Sequence, residues 1–397
     1  MKRRYLGLLI GLVLCGAGLA GWIYQIINGL AITDMNNLFS WGLYMGTFEF
    51  FIGVSSGGML LFSLAYLFRV DSLKPYAKLG AFTAFGSVVA AGVAIMTDLG
   101  QPFRVMQMLI TPNVASPLFW DVIVLGVYAI ICLVAVILVI KDGKNEQAFA
   151  AKARKLSWVA FPFVFIMNAV TTLMFAVQNS REWWHSAILP ADSMTVGVNL
   201  GLSFMLLVCA ITVPANSFER DRAGFQLMAR IAAGALLVHF AFTALELSTL
   251  AWNGSEESKH LLDLVFGTYG TLSLFEMLLP FLAMLALMAK GRGKTWYGVS
   301  GLLVVVGMFI HRMMLLLPAF NSIGLTIPVP GAEPELWSFP ISSGFFEEGQ
   351  DVFIRFWDYA PTPLELCVNL LPFGVVIAVV ALSKILFTGN KGSQAAK

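Results

Sequence analysis

Charged residues are scarce in this 397-residue chain: they make up 12% of it, whereas 58% of its residues are hydrophobic. An ordinary soluble domain carries about 25% charged residues. With a mean hydropathy of +0.80, the composition excludes water as the main solvent of the protein. The net charge of +2 is too small to indicate a nucleic-acid partner.

Cysteine is also rare, and its spacing excludes a common class of cofactor site. The four cysteines all lie inside apolar stretches, and no CxxC pair occurs. Iron-sulfur clusters and structural zinc sites need several closely grouped thiolates. We therefore predict no metal ligands in this chain and expect any electron-carrying metal on another subunit.

Long apolar runs dominate what remains. Each is long enough to cross a bilayer as a helix, which satisfies its own backbone in lipid. The ten runs lie near residues 5–24, 40–68, 77–97, 118–140, 156–178, 192–213, 226–251, 262–289, 296–318 and 362–387. The sequence thus predicts an all-α integral membrane protein with about ten transmembrane helices.

The first run has two interpretations. Lys2, Arg3 and Arg4 precede it, and the weak cleavage motif Ala-Gly-Leu-Ala lies near its end, as in a secretory signal. A run of about 20 residues spans the hydrocarbon layer and exceeds most signal cores. This length favours a first helix that is retained.

The distribution of positive charge predicts the orientation. The N-terminus, the C-terminal tail and every second connection together hold 20 of the 25 Lys and Arg residues. Such segments face the cytoplasm. Both termini are therefore expected to be cytoplasmic, in the inner membrane of a bacterial or archaeal cell. The opposite loops, including a long acidic segment over 319–361, are expected to face outward.

A weak internal repeat organises the middle of the chain. Residues 52–57 resemble 196–201, residues 118–121 resemble 274–276, and 165–166 match 309–310. The offsets predict two four-helix bundles, helices 2–5 and 6–9, with helices 1 and 10 peripheral. Chance matching of Gly and Phe is the alternative. The predicted domains are 1–39 (first helix and outer loop), 40–190 (first bundle), 191–318 (second bundle), 319–361 (outer loop) and 362–397 (last helix and cytoplasmic tail).

Glu49 is the first charged residue that falls inside a predicted helix. A carboxylate at that depth costs about 2–3 kcal/mol or more unless it is paired or protonated. Gly53, Ser56 and Gly57 follow at i+4, i+7 and i+8, so they share its helix face and permit close approach. We interpret Glu49 as part of a ligand or ion pathway; a protonated acid bonded to a neighbouring helix is the alternative.

Further polar residues gather at the predicted outer interface. Asp98 ends the third helix, Arg104 follows it, and Asp121 opens the fourth. Two helix caps and an Asp-Arg pair would be a purely structural explanation. Trp184 and His185 lie at the same level after the fifth helix, which carries polar residues in the bilayer, among them Asn168, Thr171 and Thr172.

The second bundle contains a denser set of ionisable residues: His239, Glu246, Glu276, His311 and Arg312. Such residues inside a membrane are often proton carriers, although internal pairs that fix helix packing are an equal alternative. In either case we expect them to face the bundle interior.

Three segments together resemble a known family. These are the run Trp41-Gly42-Leu43-Tyr44-Met45-Gly46-Thr47-Phe48-Glu49-Phe50-Phe51-Ile52-Gly53-Val54-Ser55-Ser56-Gly57-Gly58, then Asp98-Leu99-Gly100-Gln101-Pro102, and Ser116-Pro117-Leu118-Phe119-Trp120-Asp121. They resemble the NrfD family, the membrane subunits of polysulfide-reductase-like respiratory complexes. The resemblance covers roughly residues 40–185, and ten helices are similar to the longer members.

The resemblance implies a site for menaquinone or ubiquinone at the outer end of the first bundle. It implies no haem or iron-sulfur cluster in this chain. The partners it implies are an iron-sulfur, ferredoxin-like subunit on the outer face and a catalytic subunit, which contains molybdopterin or is a multihaem cytochrome. Glu49 stands where shorter members place a histidine, and Asp98 lies near the family's acid for proton exchange. The residues assigned to the quinone site are Glu49, Gly53, Gly57, Asp98, Arg104, Asp121, Asn168, Trp184 and His185.

This assignment fits quinol chemistry. Oxidation of a quinol releases two protons and two electrons, so it needs a proton acceptor and a nearby redox centre. Glu49 or Asp98 can accept protons. A partner's cluster, docked after helices 3 and 5, would take the electrons.

Two other functions stay open at this level. His239 and His311 lie at similar depth, so a b-type cytochrome with one haem is the first. A secondary transporter is the second, because repeated bundles with buried charges are typical of transporters. Pro162 and Pro280 have no counterparts at matching positions of the other repeat, which speaks against transport.

Overall fold

The computed structural model describes residues 2–289, 291–322, 325–327, 331, 335–337, 341–342 and 353–388. Its ten long helices are α1 (Lys2–Asn28), α2 (Leu43–Tyr66), α3 (Lys74–Asp98), α4 (Pro117–Asp142), α5 (Glu146–Ala176), α6 (Leu189–Thr212), α7 (Arg222–Asn253), α8 (Gly270–Met288), α9 (Lys294–Met314) and α10 (Leu370–Thr388). Each contains a stretch apolar and long enough to span a membrane. The chain is thus an all-α, multi-pass membrane protein.

Short elements connect the long helices. The short α-helices are Gln107–Ile110, Ala215–Arg220, Glu256–Asp263, Leu317–Asn321 and Pro363–Val368; the 3-10 turns are Leu30–Ile32, Asp71–Leu73 and Pro102–Met106, and a π-helical turn covers Leu264–Thr268. Two antiparallel pairs of strands, β1 (Leu325–Ile327) with β2 (Glu335–Trp337) and β3 (Ile341–Ser342) with β4 (Phe353–Ile354), lie in the predicted outer loop. Residues 323–324, 328–330, 332–334, 338–340 and 343–352 of that loop, and the tail beyond residue 388, lie outside the described residues.

Helices α2 to α5 pack as one four-helix bundle, in which α2 contacts α3 and α5, while α4 contacts the same two helices. Helices α6 to α9 repeat this arrangement. The bundles meet where α6 contacts α2 and α5, and where α9 contacts α2. Helix α1 packs on α10, and α10 on α3, so the first and last helices are peripheral.

Small residues let the two bundles approach closely. A Cβ atom added to Gly57 of α2 would collide with the backbone of Gly201 in α6, and the reverse holds for Gly201. Gly53 faces Leu200 and Gly197 in the same contact. The paired segments of the internal repeat therefore lie against each other at the centre of the molecule.

The helices differ in how deeply they are buried, and α2 is the most buried of the ten. Within α2 the most apolar 18-residue window is 94% buried, whereas the corresponding window of α1 is 17% buried and that of α7 is 22% buried. The exposed side chains of α1, α4 and α8 are largely Leu, Ile, Val and Phe. Such surfaces suit contact with lipid acyl chains.

Candidate functional site

Glu49 forms an ion pair that crosses from one bundle to the other. Its Oε2 lies 3.6 Å from Nη1 of Arg312 in α9, and each side chain is only 1% exposed. Neither carboxylate oxygen of Glu49 accepts a hydrogen bond from the described residues. Arg312 also donates from Nη2 to the Ser193 hydroxyl in α6, at 3.3 Å. Arg312 thus joins Glu49 of the first bundle to the ionisable residues of the second.

Four ionisable residues of the second bundle form a connected cluster near Arg312. Nδ1 of His239 lies 2.8 Å from Oδ1 of Asp192, and Nδ1 of His311 lies 2.6 Å from Oε1 of Glu276. Nε2 of His311 lies 4.0 Å from Oδ2 of Asp192, which closes the chain. The cluster therefore draws one side chain from each of α6, α7, α8 and α9.

The same arrangement does not fit a haem held by the two histidines. The His239 and His311 rings lie 4.8 Å apart between centroids and meet edge to face. Each ring also engages a carboxylate. A porphyrin between two axial imidazoles would need both rings on opposite sides of its plane, and these rings contact each other directly.

A second polar site lies in the first bundle, between α4 and α5. Asp121 accepts a hydrogen bond of 2.7 Å from the Thr171 hydroxyl, and its charge acts on Glu49. Asn168 donates to the Ser56 hydroxyl at 2.6 Å. All of these side chains are buried. Asp121 and Asn168 are therefore each held by a hydrogen bond inside the first bundle, and Asp121 lies within electrostatic range of Glu49.

An apolar cleft lies on the lipid side of this polar site. It has a volume of about 300 Å³ and is lined by Ala115, Pro117, Trp120, Val124, Val170, Leu173 and Val177. Trp120 and Val170 directly precede Asp121 and Thr171 in sequence. The cleft therefore gives the α4–α5 edge of the bundle a concave apolar surface beside its buried acid.

Asp98 belongs to a different neighbourhood. Its carboxylate is buried, its Oδ1 has no hydrogen-bond partner among the described residues, and the charge that acts on it comes from Glu365. The adjacent Thr97 carbonyl accepts from Gln25 of α1 at 2.8 Å. The C-terminal end of α3 thus lies against α1 and within electrostatic range of Glu365.

Glu365 is the centre of a hydrogen-bond network near this end of α3. It accepts hydrogen bonds from the backbone of Asp34 and Thr362, and from the Tyr359 hydroxyl at 2.6 Å. Burial, together with the Glu365 charge, raises the pKa of Tyr359 far above its ordinary value. Tyr359 therefore stays protonated. Its hydroxyl donates a hydrogen bond to Glu365 and accepts one from the backbone N–H of Leu43. This network fixes the start of α2.

The remaining predicted quinone-site residues are dispersed. Arg104 is exposed and forms no ion pair with either acid in the part of the chain described. Trp184 is buried, donates to the Leu315 carbonyl at 2.6 Å and packs against Trp41. Gly53 and Gly57 contact α6. These two glycines therefore serve the packing of the two bundles.

His185 lies at a larger cavity, which is lined by the segment after α5 and by the end of α7. This cavity has a volume of about 470 Å³ and is lined by Glu182, Trp183, His185, Ser186, Ile188, Glu246, Thr249, Leu250, Trp252 and Asn253. Glu246 is half-buried and interacts electrostatically with Asp192, His239 and Glu276. Glu246 therefore lines the cavity and lies within electrostatic range of the cluster in the second bundle.

Sequence reasoning missed two residues at the centre of these networks. Asp192 stands in the first turn of α6, where an acid is usually explained by the helix dipole. One signal was available, because Asp192-Ser193 aligns with Phe48-Glu49 in the internal repeat. Glu365 was missed because Thr362-Pro-Leu-Glu365 is an ordinary capping box, which gives no sign of its Tyr359 and Asp34 contacts.

Three known proteins are similar to this chain. A putative dimethyl sulfoxide reductase membrane subunit of Halobacterium salinarum is 29% identical over 61% of this chain and 59% of its own length. An Hdr-like menaquinol oxidoreductase integral membrane subunit of Archaeoglobus fulgidus is 24% identical over 79% of both chains. A selenate reductase subunit of Mesobacillus selenatarsenatis is 22% identical over 81% of this chain and 83% of its own. The match to the first of these relatives thus spans about three fifths of that protein.

The family model of NrfD, described as polysulphide reductase, matches residues 31–324. This range runs from the end of α1 to the end of the second bundle, so it includes both polar sites. The resemblance seen in residues 40–185 of the sequence therefore extends over most of the chain. The protein belongs to the NrfD polysulphide reductase family.

Proposed function

We propose that this chain is the quinone-interacting membrane subunit of a respiratory oxidoreductase complex. It exchanges electrons between the menaquinone or ubiquinone pool and an iron-sulfur partner subunit. The names of the relatives support this, because one is a menaquinol oxidoreductase subunit and two are reductase subunits. The structural observation that supports the proposal is a buried acid, Asp121, that follows a residue lining an apolar cleft and lies within electrostatic range of Glu49.

The first bundle offers the groups that quinol oxidation needs. A flat, lipid-soluble ring entering between α4 and α5 would reach the apolar cleft first and the Asp121–Thr171 pair behind it. Asp121 and Glu49 are then the proton acceptors nearest the ring. Asp98 faces Glu365 instead, so we assign it to proton release at the outer end and not to direct contact with the ring.

Arg312 and the second-bundle cluster support a proton route through the chain. The cluster residues are connected by short contacts, and Arg312 links them to Glu49. Below Asp192, the buried side chains of Asn199 and Ser203 follow at i+7 and i+11 on one face of α6. Their polar atoms have no partner among the described residues. We propose that protons move along Glu246, His239, Glu276, His311 and Arg312 during turnover.

The composition of the chain also bears on its assembly. The chain contains no cysteine grouping for a cluster, so a ferredoxin-like subunit on the outer face would accept the electrons. A catalytic subunit with molybdopterin, or a multihaem cytochrome, would complete the complex. The excess of Lys and Arg in alternate connections supports insertion in the inner membrane with both termini cytoplasmic.

A Glu49→Gln variant tests the proposal directly. Gln keeps the size of the side chain but cannot accept a proton as a carboxylate does. We expect quinol oxidation by the purified complex to fall at least tenfold, because general-base catalysis contributes about 10²–10⁴-fold. The measurement is the rate of quinol oxidation with an artificial electron acceptor.

The matched control is Glu219→Gln, which alters an exposed acid in the short helix Ala215–Arg220. This variant should oxidise quinol at the normal rate. Both variants must assemble with the partner subunits to the same extent as the unmodified chain. Unchanged quinol oxidation in assembled Glu49→Gln would remove Glu49 from the mechanism.

A further inference from the structure

We propose that Asp192, His239 and His311 form a binding site for one first-row transition-metal cation such as Zn²⁺. The site lies within the second bundle, among helices α6, α7 and α9. The sequence predicts no metal ligands because these residues are far apart along the chain. The fold brings one ligand atom of each within 4.8 Å of the others.

The distances suit a single ion. Zn²⁺ binds imidazole nitrogen and carboxylate oxygen at about 2.0–2.2 Å, so two ligand atoms of one ion lie roughly 3–3.5 Å apart. Here Nδ1 of His239 and Oδ1 of Asp192 are separated by 2.8 Å. Nε2 of His311 and Oδ2 of Asp192 are separated by 4.0 Å. Small rotations of the side chains are enough to reach the required spacing.

Glu276 provides the support that metal-binding histidines usually have. Its Oε1 lies 2.6 Å from Nδ1 of His311, which orients the ring and leaves Nε2 directed to Asp192. A carboxylate behind a ligating imidazole fixes the tautomer and makes the ring a stronger ligand. The His311–Glu276 pair therefore has the form of a ligand with its outer-shell partner.

The charge around the site also favours a cation. Asp192 and Glu276 are carboxylates within the cluster, and Glu246 interacts electrostatically with both. The nearby cation, Arg312, is already paired with Glu49. A divalent ion would therefore offset negative charge in a region from which water is largely excluded.

A path to the site starts at the outer surface. Glu182, His185 and Glu246 line the cavity of about 470 Å³ there. Glu246 lies seven residues from His239, two turns along the same face of α7. A cation that enters this cavity would thus meet three further side chains with metal affinity on its way to Asp192.

The test uses the purified full-length protein with its partners, stripped of metal by a chelator and titrated with Co²⁺. Co²⁺ takes the same ligands as Zn²⁺ and gives visible absorption bands when bound by nitrogen and oxygen at low coordination number. We expect one Co²⁺ per chain, displaced by Zn²⁺. Asp192→Asn and His311→Gln should weaken binding at least tenfold, and Glu276→Gln about 10–100-fold.

The matched control is His260→Gln, which changes an exposed histidine on the helix Glu256–Asp263 outside the cluster. Its Co²⁺ affinity should equal that of the unmodified protein. Size-exclusion profiles verify that each variant is assembled. Absence of Co²⁺ binding in the unmodified protein, or full affinity in assembled His311→Gln, would overturn the inference. No quinone is present in this experiment, so its outcome is independent of the proposed function.

Discussion

At the scale of single residues, buried ion pairs decide which charges the membrane interior tolerates. Arg312 is 1% exposed and has Glu49 as its ion-pair partner among the described residues. A buried charge without a partner is strongly unfavourable, whereas a neutral pair of similar volume is tolerated. Arg312 and Glu49 should therefore depend on each other for stability.

This dependence is measurable by a double-mutant cycle. We expect Arg312→Met alone to destabilise the protein by about 3–5 kcal/mol, because Glu49 loses its counter-charge. The double variant Glu49→Gln/Arg312→Met should recover at least half of that loss. The measurement is the apparent unfolding temperature in detergent. Glu49→Gln alone completes the cycle, and a loss in the double variant equal to the sum of the two single-variant losses would show that the pair contributes no coupling.

Residue identity predicted which ionisable side chains lie inside the bundles better than it predicted their partners. The scarcity of charge made Glu49, His239, Glu276, His311 and Arg312 stand out inside apolar runs, and the structure places them inside the two bundles. Nothing in the local sequence pairs Glu49 with Arg312. Glu49 lies in α2, the first bundle helix along the chain, and Arg312 lies in α9, the last. Long-range pairing depends on helix packing, and local sequence does not determine it.

At the scale of helices, the glycines of the repeat hold α2 against α6. Gly57 and Gly201 lie in backbone contact. Gly near a carboxylate had indicated room for a ligand, but the same small residues also allow two helices to pack closely. The spacing of the glycines is the same for a ligand site and for a helix contact. Only the position of the neighbouring helix distinguishes the two.

Substitution of Gly57 should therefore damage packing rather than binding. We expect Gly57→Ala to lower stability by about 1–3 kcal/mol, as overpacking does in a dense core. Gly126→Ala in α4 is the matched control, because no atom lies within 4 Å of the added Cβ. The apparent unfolding temperature and the yield of assembled protein are the readouts. A normal value for Gly57→Ala would argue against this contact as a tight interface.

At the scale of the whole molecule, buried polar residues of both bundles form a row inside an apolar shell, and the Glu49–Arg312 ion pair joins the two bundles. Asp121 acts on Glu49, Glu49 pairs with Arg312, and Arg312 lies beside the cluster of Asp192 and His311. Peripheral helices and exposed apolar side chains surround this row of polar residues. Which end of this row faces the cytoplasm depends on the orientation of the chain in the membrane. The unequal distribution of Lys and Arg between alternate connections predicts that orientation.

The orientation is testable with single cysteines in a background without the four native ones. We expect Lys144→Cys, in the α4–α5 connection, to react with an impermeant maleimide only in inverted vesicles. Glu256→Cys, in the connection after α7, should react in intact cells with a permeable outer layer. Both expectations follow from the excess of Lys and Arg on alternate connections. The reverse labelling pattern would overturn the assigned topology.

The sequence by itself determined the number and positions of the spanning helices, because length and hydropathy are local properties that lipid imposes on each segment. It also determined the family, through motifs around Glu49, Asp98 and Asp121. The tertiary structure decided which charges act on these acids: α3 packs on α10, and Asp98 lies within electrostatic range of Glu365, whereas Glu49 lies within electrostatic range of Asp121. It also decided that Asp192 joins His239 and His311, since helices distant in sequence contribute these side chains and their crossing sets the distances.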